Sequence, residues 1–244
     1  MVEMYTGTPG SGKSLHVAER IYRRIMRGKN VLANFEINMG VFPKRKKPLG
    51  EFVYIDNMDL NPDMLYSYAL SHLKRTKTGI QEGQLLLVID ESQLLFNTRD
   101  WNMKNRMKWC TFFSQHRKYG YDIILVAQFD RMIDRQIRVM AEYEVKHRKV
   151  ANFAWLGFIL SWATRILSFG RNCGLFLAVR YWYGIHARLG KEFFQGKSRY
   201  MQLYNSYRVF AGVEDGGAQA GSQPIPRQTH GDCDAGTERG EPDE

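Results

Sequence analysis

The stretch Gly7-Thr8-Pro9-Gly10-Ser11-Gly12-Lys13-Ser14 decides the fold of this chain, because it fits the pattern G-x-x-x-x-G-K-[ST]. Glycines in this pattern let consecutive backbone N–H groups surround phosphate oxygens, and the N-terminus of the following helix adds partial positive charge. The pattern requires a strand before it and a helix after it. The sequence meets both requirements, because residues 2–6 read as a short strand and residues 14–27 carry apolar side chains at helical spacing. The motif therefore predicts an ATP phosphate-binding loop formed by Gly7, Thr8, Pro9, Gly10, Ser11, Gly12, Lys13 and Ser14.

Two side chains of the motif have further chemical roles. Lys13 is expected to reach the β- and γ-phosphates and so to contribute to catalysis, and the Ser14 hydroxyl is expected to ligate Mg²⁺. The alternative interpretation is a glycine turn that carries a solvated lysine. The flanking strand and helix favour the binding loop.

A pair of acidic residues supplies the remaining groups for this chemistry. Residues 85–89 form a continuous apolar run, typical of a strand buried on both faces, and the run ends in Asp90-Glu91. Asp90 is predicted to bind Mg²⁺, and Glu91 is predicted to be the catalytic residue that orients and deprotonates the attacking water. The alternative is that the two acids cap a helix that begins at Ser92.

Polar residues beyond the next predicted strand are weaker candidates. Gln128 follows residues 123–127 and either takes part in catalysis, by contacting the γ-phosphate or the water, or caps the strand end. One of four arginines is a candidate finger inserted into a neighbouring subunit. These are Arg117, Arg131, Arg135 and Arg138.

The net charge of +10 is unevenly distributed. Residues 214–244 contain eight acidic and two basic residues, so this segment carries −6 and residues 1–213 carry +16. Such a balance favours phosphate-rich partners, which are nucleic acid or an anionic membrane surface. The alternative is that the charge serves solubility alone.

Length and composition exclude several protein classes. With 244 residues, 44% of them hydrophobic, the chain can form one sizeable core with a small appendage, which excludes collagen-like, coiled-coil and wholly disordered chains. Three dispersed cysteines without a CxxC pair argue against a disulfide scaffold and a zinc ribbon. We therefore expect a reduced intracellular protein without a signal peptide. Residues 153–169 are apolar but contain Arg165, so we expect a buried or interfacial helix there rather than a membrane span.

The remaining pattern predicts an α/β fold in which strands and helices alternate up to residue 150. Further strands are predicted at 30–35, 51–55, 143–150 and 175–183, and further helices at 62–72, 105–117, 131–140 and 197–210. We expect an ATPase core over residues 1–150, an extension over 151–212 that packs on the core or faces a membrane, and a disordered acidic tail over 213–244.

Three segments together resemble the zonular occludens toxin (Zot) family, which includes the assembly ATPases of filamentous phages. They are residues 4–14, residues 88–93 (Val-Ile-Asp-Glu-Ser-Gln) and residues 114–125, which begin Ser-Gln-His-Arg-Lys-Tyr-Gly. Residues 180–184 and Tyr204-Asn205-Ser206-Tyr207 are also similar to the family. The resemblance covers about residues 1–210.

The resemblance implies a P-loop NTPase fold with a mainly parallel sheet flanked by helices. It also implies one additional strand between the strand before the loop (Walker A) and the strand that ends at Asp90 (Walker B). Members of the family usually continue into a transmembrane helix and an exported region, whereas an acidic segment stands here.

The function implied is an ATP- and Mg²⁺-dependent motor that powers filamentous phage assembly and extrusion at the inner face of the cytoplasmic membrane. Its expected partners are further copies of the chain in a ring, a phage coat or membrane-channel protein, and phage DNA. Two alternatives remain. The first is a DNA-translocating ATPase of packaging or conjugation, and the second is a membrane-docked binding protein that nucleotide switches without motor activity.

Overall fold

The computed structural model describes residues 1–76, 79–97, 103–150 and 172–204. Its strands are β1 (Val2–Thr6), β2 (Asn30–Ala33), β3 (Phe52–Tyr54), β4 (Arg75–Thr76), β5 (Gly79–Ile80), β6 (Leu85–Ile89), β7 (Tyr121–Val126), β8 (Tyr143–Lys149), β9 (Asn172–Trp182) and β10 (Arg188–Lys197). Its helices are α1 (Lys13–Met26), α2 (Pro62–His72), α3 (Met103–Gln115), α4 (Arg135–Val139) and α5 (Ser198–Leu203). Short 3₁₀ turns occur at Met39–Val41, His116–Tyr119 and Asp130–Met132.

Eight of the described strands form one sheet in the order β10-β9-β8-β1-β7-β6-β2-β3. The strands from β8 to β3 are parallel, whereas β9 and β10 are added to the β8 side as antiparallel strands. Strands β4 and β5 pair separately as a small hairpin. Because β7 lies between β1 and β6, the additional strand implied by the resemblance is present, and the predicted P-loop NTPase architecture is confirmed.

Helices cover both faces of the sheet, and the alternation of side chains along β6 shows how. Leu85, Leu87 and Ile89 pack into a core that includes side chains of α2 and α3. Leu86 and Val88 point to the opposite face and pack with α1 and α5. All five residues are buried. A strand with an apolar residue at every position is therefore stable only at the centre of a three-layer structure.

The C-terminal part of the described chain differs from the expectation. Strand β10 was not predicted. Of the helix expected over 197–210, the described residues form the six-residue helix Ser198–Leu203, and residues 205–210 lie outside the described part of the chain. Most side chains of β10 are exposed, so the strand lacks the apolar alternation that identifies strands in a sequence. The strand forms because its backbone pairs with β9.

Two further segments differ from the helices considered for them. The segment predicted as a helix over 131–140 divides into the 3₁₀ turn Asp130–Met132 and helix α4. Asp134 begins α4, because its carboxylate accepts the Gln136 N–H at 2.8 Å and caps the helix. The alternative interpretation of Asp90 and Glu91 requires a helix that begins at Ser92, but residues 90–95 form turns. Both the Ser92 hydroxyl and the Ser92 N–H donate to Val126 O, at 2.8 and 2.9 Å, so Ser92 is bound to the end of β7.

Two predicted segments lie outside the described residues. They are the apolar stretch 153–169 and the acidic tail 213–244. Within the described ranges, none of the helices combines the length and the apolar character that a membrane crossing needs.

A pair of buried histidines connects α1 to the sheet directly below the glycine-rich loop. The Thr6 carbonyl can only accept a hydrogen bond, so His147 Nδ1 donates to it at 3.2 Å. Neutral His147 then accepts at Nε2 from the Nδ1–H of His16, at 2.9 Å. Tyr5 and Phe194 stack against His16 with ring centroids 4.9 and 4.8 Å away. Burial lowers the pKa of His147 to about 4 and holds the pKa of His16 well below its usual value.

These histidines make the stability of the fold depend on pH. Both remain neutral in the folded chain, whereas unfolded histidines bind protons below about pH 6.5. The unfolded state therefore gains protons as the pH falls, and we expect His147 alone to lower the free energy of unfolding by about 2 kcal/mol between pH 7 and pH 5. Denaturant unfolding at a series of pH values measures this slope.

The matched variants are His147→Gln and His72→Gln, because His72 is exposed on α2. We expect the first variant to have a shallower pH slope than wild type and the second to keep the wild-type slope. A wild-type slope in His147→Gln would contradict the assignment.

Candidate functional site

The loop between β1 and α1 has a backbone that only glycine fits at two positions. Gly7 and Gly12 have φ values of 146° and 96°, which side chains strongly disfavour. A Cβ on Gly7 would lie 2.6 Å from Ser11 Oγ and 2.7 Å from the His147 carbonyl oxygen. A Cβ on Gly12 would lie 2.6 Å from Cδ1 of Phe176. The neighbouring strands β8 and β9 therefore press against the loop and fix its path.

Several features of this loop suit an anionic ligand. Helix α1 begins after Gly12 without a side-chain cap and without an acidic residue in its first turn. Its first backbone N–H groups have no partner within the helix, and its dipole favours negative charge there. The Ser11 hydroxyl is buried without a hydrogen-bond partner among the described residues. An unsatisfied buried hydroxyl inside a glycine cradle fits a phosphate oxygen.

Lys13 is folded back over the loop. Its Nζ donates to Gly7 O at 2.5 Å and to Thr8 O at 3.3 Å. Partial burial lowers the pKa of Lys13, while the negative charges of Asp90 and Glu91 raise it. The ammonium therefore lies within electrostatic reach of the acid pair, although 76 residues or more separate them along the chain.

Asp90 is a buried carboxylate directly after β6. Asn34, which follows β2, holds its backbone on both sides: the Asp90 N–H donates to Asn34 Oδ1 at 2.7 Å, and Asn34 Nδ2 donates to Asp90 O at 2.8 Å. The carboxylate accepts the Glu91 N–H at 2.8 Å and the Tyr204 hydroxyl at 2.5 Å. Burial raises the pKa of Asp90, and these two hydrogen bonds work against that increase.

Glu91 takes a backbone conformation that is rare outside glycine, with φ at 46°. Its Oε2 accepts a hydrogen bond from Gln93 Nε2. Strained backbone of this kind occurs frequently at functional sites, where the surrounding structure maintains it.

The donor set at this edge fits Mg²⁺ as well as phosphate. Mg²⁺ prefers hard oxygen ligands, usually one or two carboxylates together with phosphate oxygens and water. The Asp90 carboxylate lies at the carboxyl edge of the sheet, and the Ser14 hydroxyl belongs to the first turn of α1. The described residues contain no competing cluster of three or more histidine, cysteine or acidic side chains.

Gln128 contributes to the loop through its backbone. Its carbonyl accepts the Gly7 N–H at 3.1 Å, which joins the segment after β7 to the start of the loop. Gln128 also lines a cleft of about 460 Å³ beside Gly7 and Thr8. Of the remaining loop residues, Thr8 O accepts the Ser11 N–H at 3.1 Å, and Pro9 and Gly10 form the exposed tip.

The candidate arginines fall into two groups. Arg117 and Arg138 form ion pairs, with Glu142 at 2.8 Å and with Asp130 at 3.7 Å. Arg131 and Arg135 are exposed in the segment that follows β7.

A second cleft, of about 400 Å³, lies near the C-terminal end of α1. It is lined by Arg20, Arg23, Arg24, Arg27, Lys29, Glu82, Gly83 and Asp122. Three of its arginines already pair with acids: Arg20 with Glu3, Arg23 with Glu19, and Arg24 with Asp122. Its positive charge is thus largely neutralised within the chain.

The sequence patterns did not indicate Asn34, Tyr204, Phe176 or the pair formed by His16 and His147 as parts of the site. Asn34 and Tyr204 contact Asp90 from 56 and 114 residues away, and no local spacing reports such contacts. For Tyr204 one signal existed, because it belongs to a segment similar to the Zot family.

Comparison with known proteins identifies the family. The zonular occludens toxin (Zot) family model matches residues 1–157. This chain belongs to the Zot family. It is similar to the gene 1 protein of Enterobacteria phage M13, with 32% identity over 151 residues that cover 61% of this chain and 42% of that protein. It is also similar to the gene 1 protein of Salmonella phage IKe, with 30% identity over 177 residues that cover 70% of this chain and 46% of that protein. The chain thus spans less than half the length of these relatives.

The chain is also similar to two solved structures. The N-terminal domain of zonular occludens toxin from Neisseria meningitidis has 14% identity and a TM-score of 0.46, covering 83% of this Zot-family chain and 97% of that domain. The genome packaging NTPase B204 from Sulfolobus turreted icosahedral virus 2, in complex with ATP-gammaS, has 14% identity and a TM-score of 0.43, covering 79% and 95% of the two chains.

The loop geometry predicts the effect of removing the Lys13 ammonium. We expect Lys13→Ala to weaken the binding of ATP by about tenfold or more, because a charged hydrogen-bond donor to the phosphates is lost. Calorimetric titration measures the dissociation constant.

Lys29→Ala is the matched control, since Lys29 Nζ also donates to a backbone carbonyl, that of Gly83 at 2.7 Å, but beyond the opposite end of α1. Equal affinity in Lys13→Ala and wild type would show that the loop is not the binding site.

Proposed function

We propose that this chain is a P-loop ATPase that powers assembly and extrusion of a filamentous phage at the inner face of the cytoplasmic membrane. The observation that carries the proposal is the meeting of Lys13, Asp90 and Glu91 at one edge of the sheet, beside a loop built to hold an anion. Membership of the Zot family and the similarity to gene 1 proteins of filamentous phages support the biological setting.

Each residue of the site has a definite task in this proposal. The loop N–H groups bind the phosphate oxygens, and the Lys13 ammonium moves from its loop carbonyls to the β- and γ-phosphates. Ser14 and Asp90 would hold Mg²⁺, which when bound neutralises charge on the phosphate oxygens. Binding, positioning and charge neutralisation account for most of the catalysis of phosphoryl transfer.

Glu91 is the proposed base for the attacking water. The water loses a proton to a Glu91 carboxylate oxygen as its own oxygen bonds to the γ-phosphorus, and the bond to the leaving ADP oxygen breaks. Gln93 supports this task, because its amide holds Oε2 of Glu91 and so restricts the direction of the carboxylate. Gln128 sits at the start of the loop, where its side chain is a candidate contact for the water or the γ-phosphate.

Ring formation is a further part of the proposal. Arg131 and Arg135 are exposed in the segment after β7, so a neighbouring copy can receive either of them as an arginine finger.

The moved substrate is proposed to be phage coat protein or phage DNA. A membrane-channel protein is the proposed partner at the membrane. Residues 151–212 are proposed to form the extension that adapts the core to this partner, and an anionic membrane surface is a second candidate contact.

A DNA-translocating ATPase is the alternative that one observation favours, namely the charge of +16 over residues 1–213. Turnover that rises on addition of DNA, in the absence of any phage protein, would favour this alternative. Tight ATP binding without turnover in every oligomeric state would instead favour a nucleotide-switched binding protein.

The proposal predicts a separation of binding from turnover at Glu91. We expect Glu91→Gln to bind ATP with wild-type affinity but to hydrolyse it roughly 10²–10⁴-fold more slowly, since the amide keeps the shape and cannot accept the proton. Phosphate release at saturating ATP and Mg²⁺ measures the rate. The same variant, expressed in a phage-producing cell, should stop the release of particles.

Glu82→Gln is the control, because this exposed glutamate lies three residues before β6, at the opposite end of the strand that leads to Glu91. We expect wild-type turnover in this control. Hydrolysis by Glu91→Gln at the wild-type rate would exclude Glu91 as the base.

A further inference from the structure

Tyr204 brings the C-terminal part of the described chain into contact with the candidate metal site. It directly follows α5, and its Oη donates to Oδ2 of Asp90 at 2.5 Å. Its ring packs against Phe35, with centroids 4.2 Å apart. The phenol is therefore held from the side by an aromatic contact while its hydroxyl is directed at the carboxylate.

The contact is made to the carboxylate that is proposed to bind Mg²⁺, and the orientation of its oxygens affects that binding. Asp90 is buried, and its other oxygen, Oδ1, accepts the Glu91 N–H at 2.8 Å. A carboxylate has about four lone-pair positions, so these two donors leave positions for a metal ion or a metal-bound water. A phenol is protonated at neutral pH, and the Tyr204 hydroxyl is therefore a hydrogen-bond donor to this carboxylate.

Helix α5 fixes Tyr204 with respect to both the loop helix and the neighbouring turn. Tyr200 on α5 packs edge-on against Tyr22 of α1, at 5.5 Å between centroids. Leu203 is buried, and its carbonyl accepts the Asn38 N–H at 2.9 Å. The hydroxyl of Tyr204 is thus positioned by packing that is independent of the acid pair.

We propose that Tyr204 is a positioning residue for the Mg²⁺ site: its hydroxyl orients the Asp90 carboxylate, so that α5 sets the affinity of the site for the metal. This inference rests on the proposed function, because it assumes that Asp90 serves Mg²⁺·ATP. It assigns Tyr204 no contact with the reacting atoms. Partners that orient a metal-binding side chain typically change metal affinity by 10- to 100-fold when they are removed.

The geometry also shows what a displacement of α5 would do. Because Tyr204 is the residue next to this helix, a movement of α5 away from α1 would withdraw the hydroxyl from Asp90.

The test compares Tyr204→Phe with Tyr200→Phe in the full chain. Tyr204→Phe keeps the ring on Phe35 and removes only the hydroxyl. Tyr200→Phe removes a hydroxyl from the same helix, on the side that faces α1. Equilibrium binding of a fluorescent, non-hydrolysable ATP analogue is titrated with Mg²⁺, and binding is also measured in EDTA. Melting temperatures are recorded for all three proteins.

We expect the Mg²⁺ concentration for half-maximal binding to rise roughly 10-fold in Tyr204→Phe and to stay unchanged in Tyr200→Phe. Binding in EDTA and the melting temperature should match wild type in both variants. A wild-type Mg²⁺ dependence in Tyr204→Phe overturns the inference while the proposed function stands. An equal loss in EDTA and in Mg²⁺ also overturns it, because the effect would then be structural. Failure of the wild-type chain to bind the analogue would overturn the proposed function and the inference with it.

Discussion

The parallel pairing of β1, β7 and β6 is the constraint on which the site depends. Each strand ends at the same edge of the sheet, with Tyr5 opposite Val126 and Ile89 opposite Leu125. The loop after β1 and the acid pair after β6 therefore open to one side and are separated by the width of a single strand. A change of register by one residue would move Asp90 along this edge relative to the loop after β1.

The same edge is shaped by parts of the chain that lie far away in sequence. Phe176 from β9 closes against Gly12, His147 from β8 supports Gly7, Asn34 after β2 holds the backbone of Asp90, and Tyr204 after α5 holds its carboxylate. The loop motif alone thus does not define the site. Strand β9, which pairs antiparallel with β8, contributes Phe176 beside the loop, and Tyr204 after α5 contributes the contact with the Asp90 carboxylate.

The sequence predicted the central features well because they depend on local patterns. The apolar run of β6 requires burial on both faces, and the glycine pattern before α1 requires a sharp turn between a strand and a helix. The features that it missed depend on distant contacts. Strand β10 carries mostly exposed side chains, and the turn at Ser92 forms because Val126 O attracts its two donors. The order of β7 between β1 and β6 came from the family resemblance, since periodicity along one strand does not report which strand lies beside it.

A structure of this chain with Mg²⁺ and a non-hydrolysable ATP analogue tests the central claim most directly. The account predicts the β-phosphate against the backbone N–H groups of residues 10–14, with the Lys13 ammonium on the phosphates and Glu91 facing the γ-phosphate. It also predicts Asp90 and Ser14 on the metal side, with the hydroxyl of Tyr204 still on Asp90. An analogue bound in the arginine-lined cleft near the C-terminal end of α1, with the glycine-rich loop empty, would contradict the account.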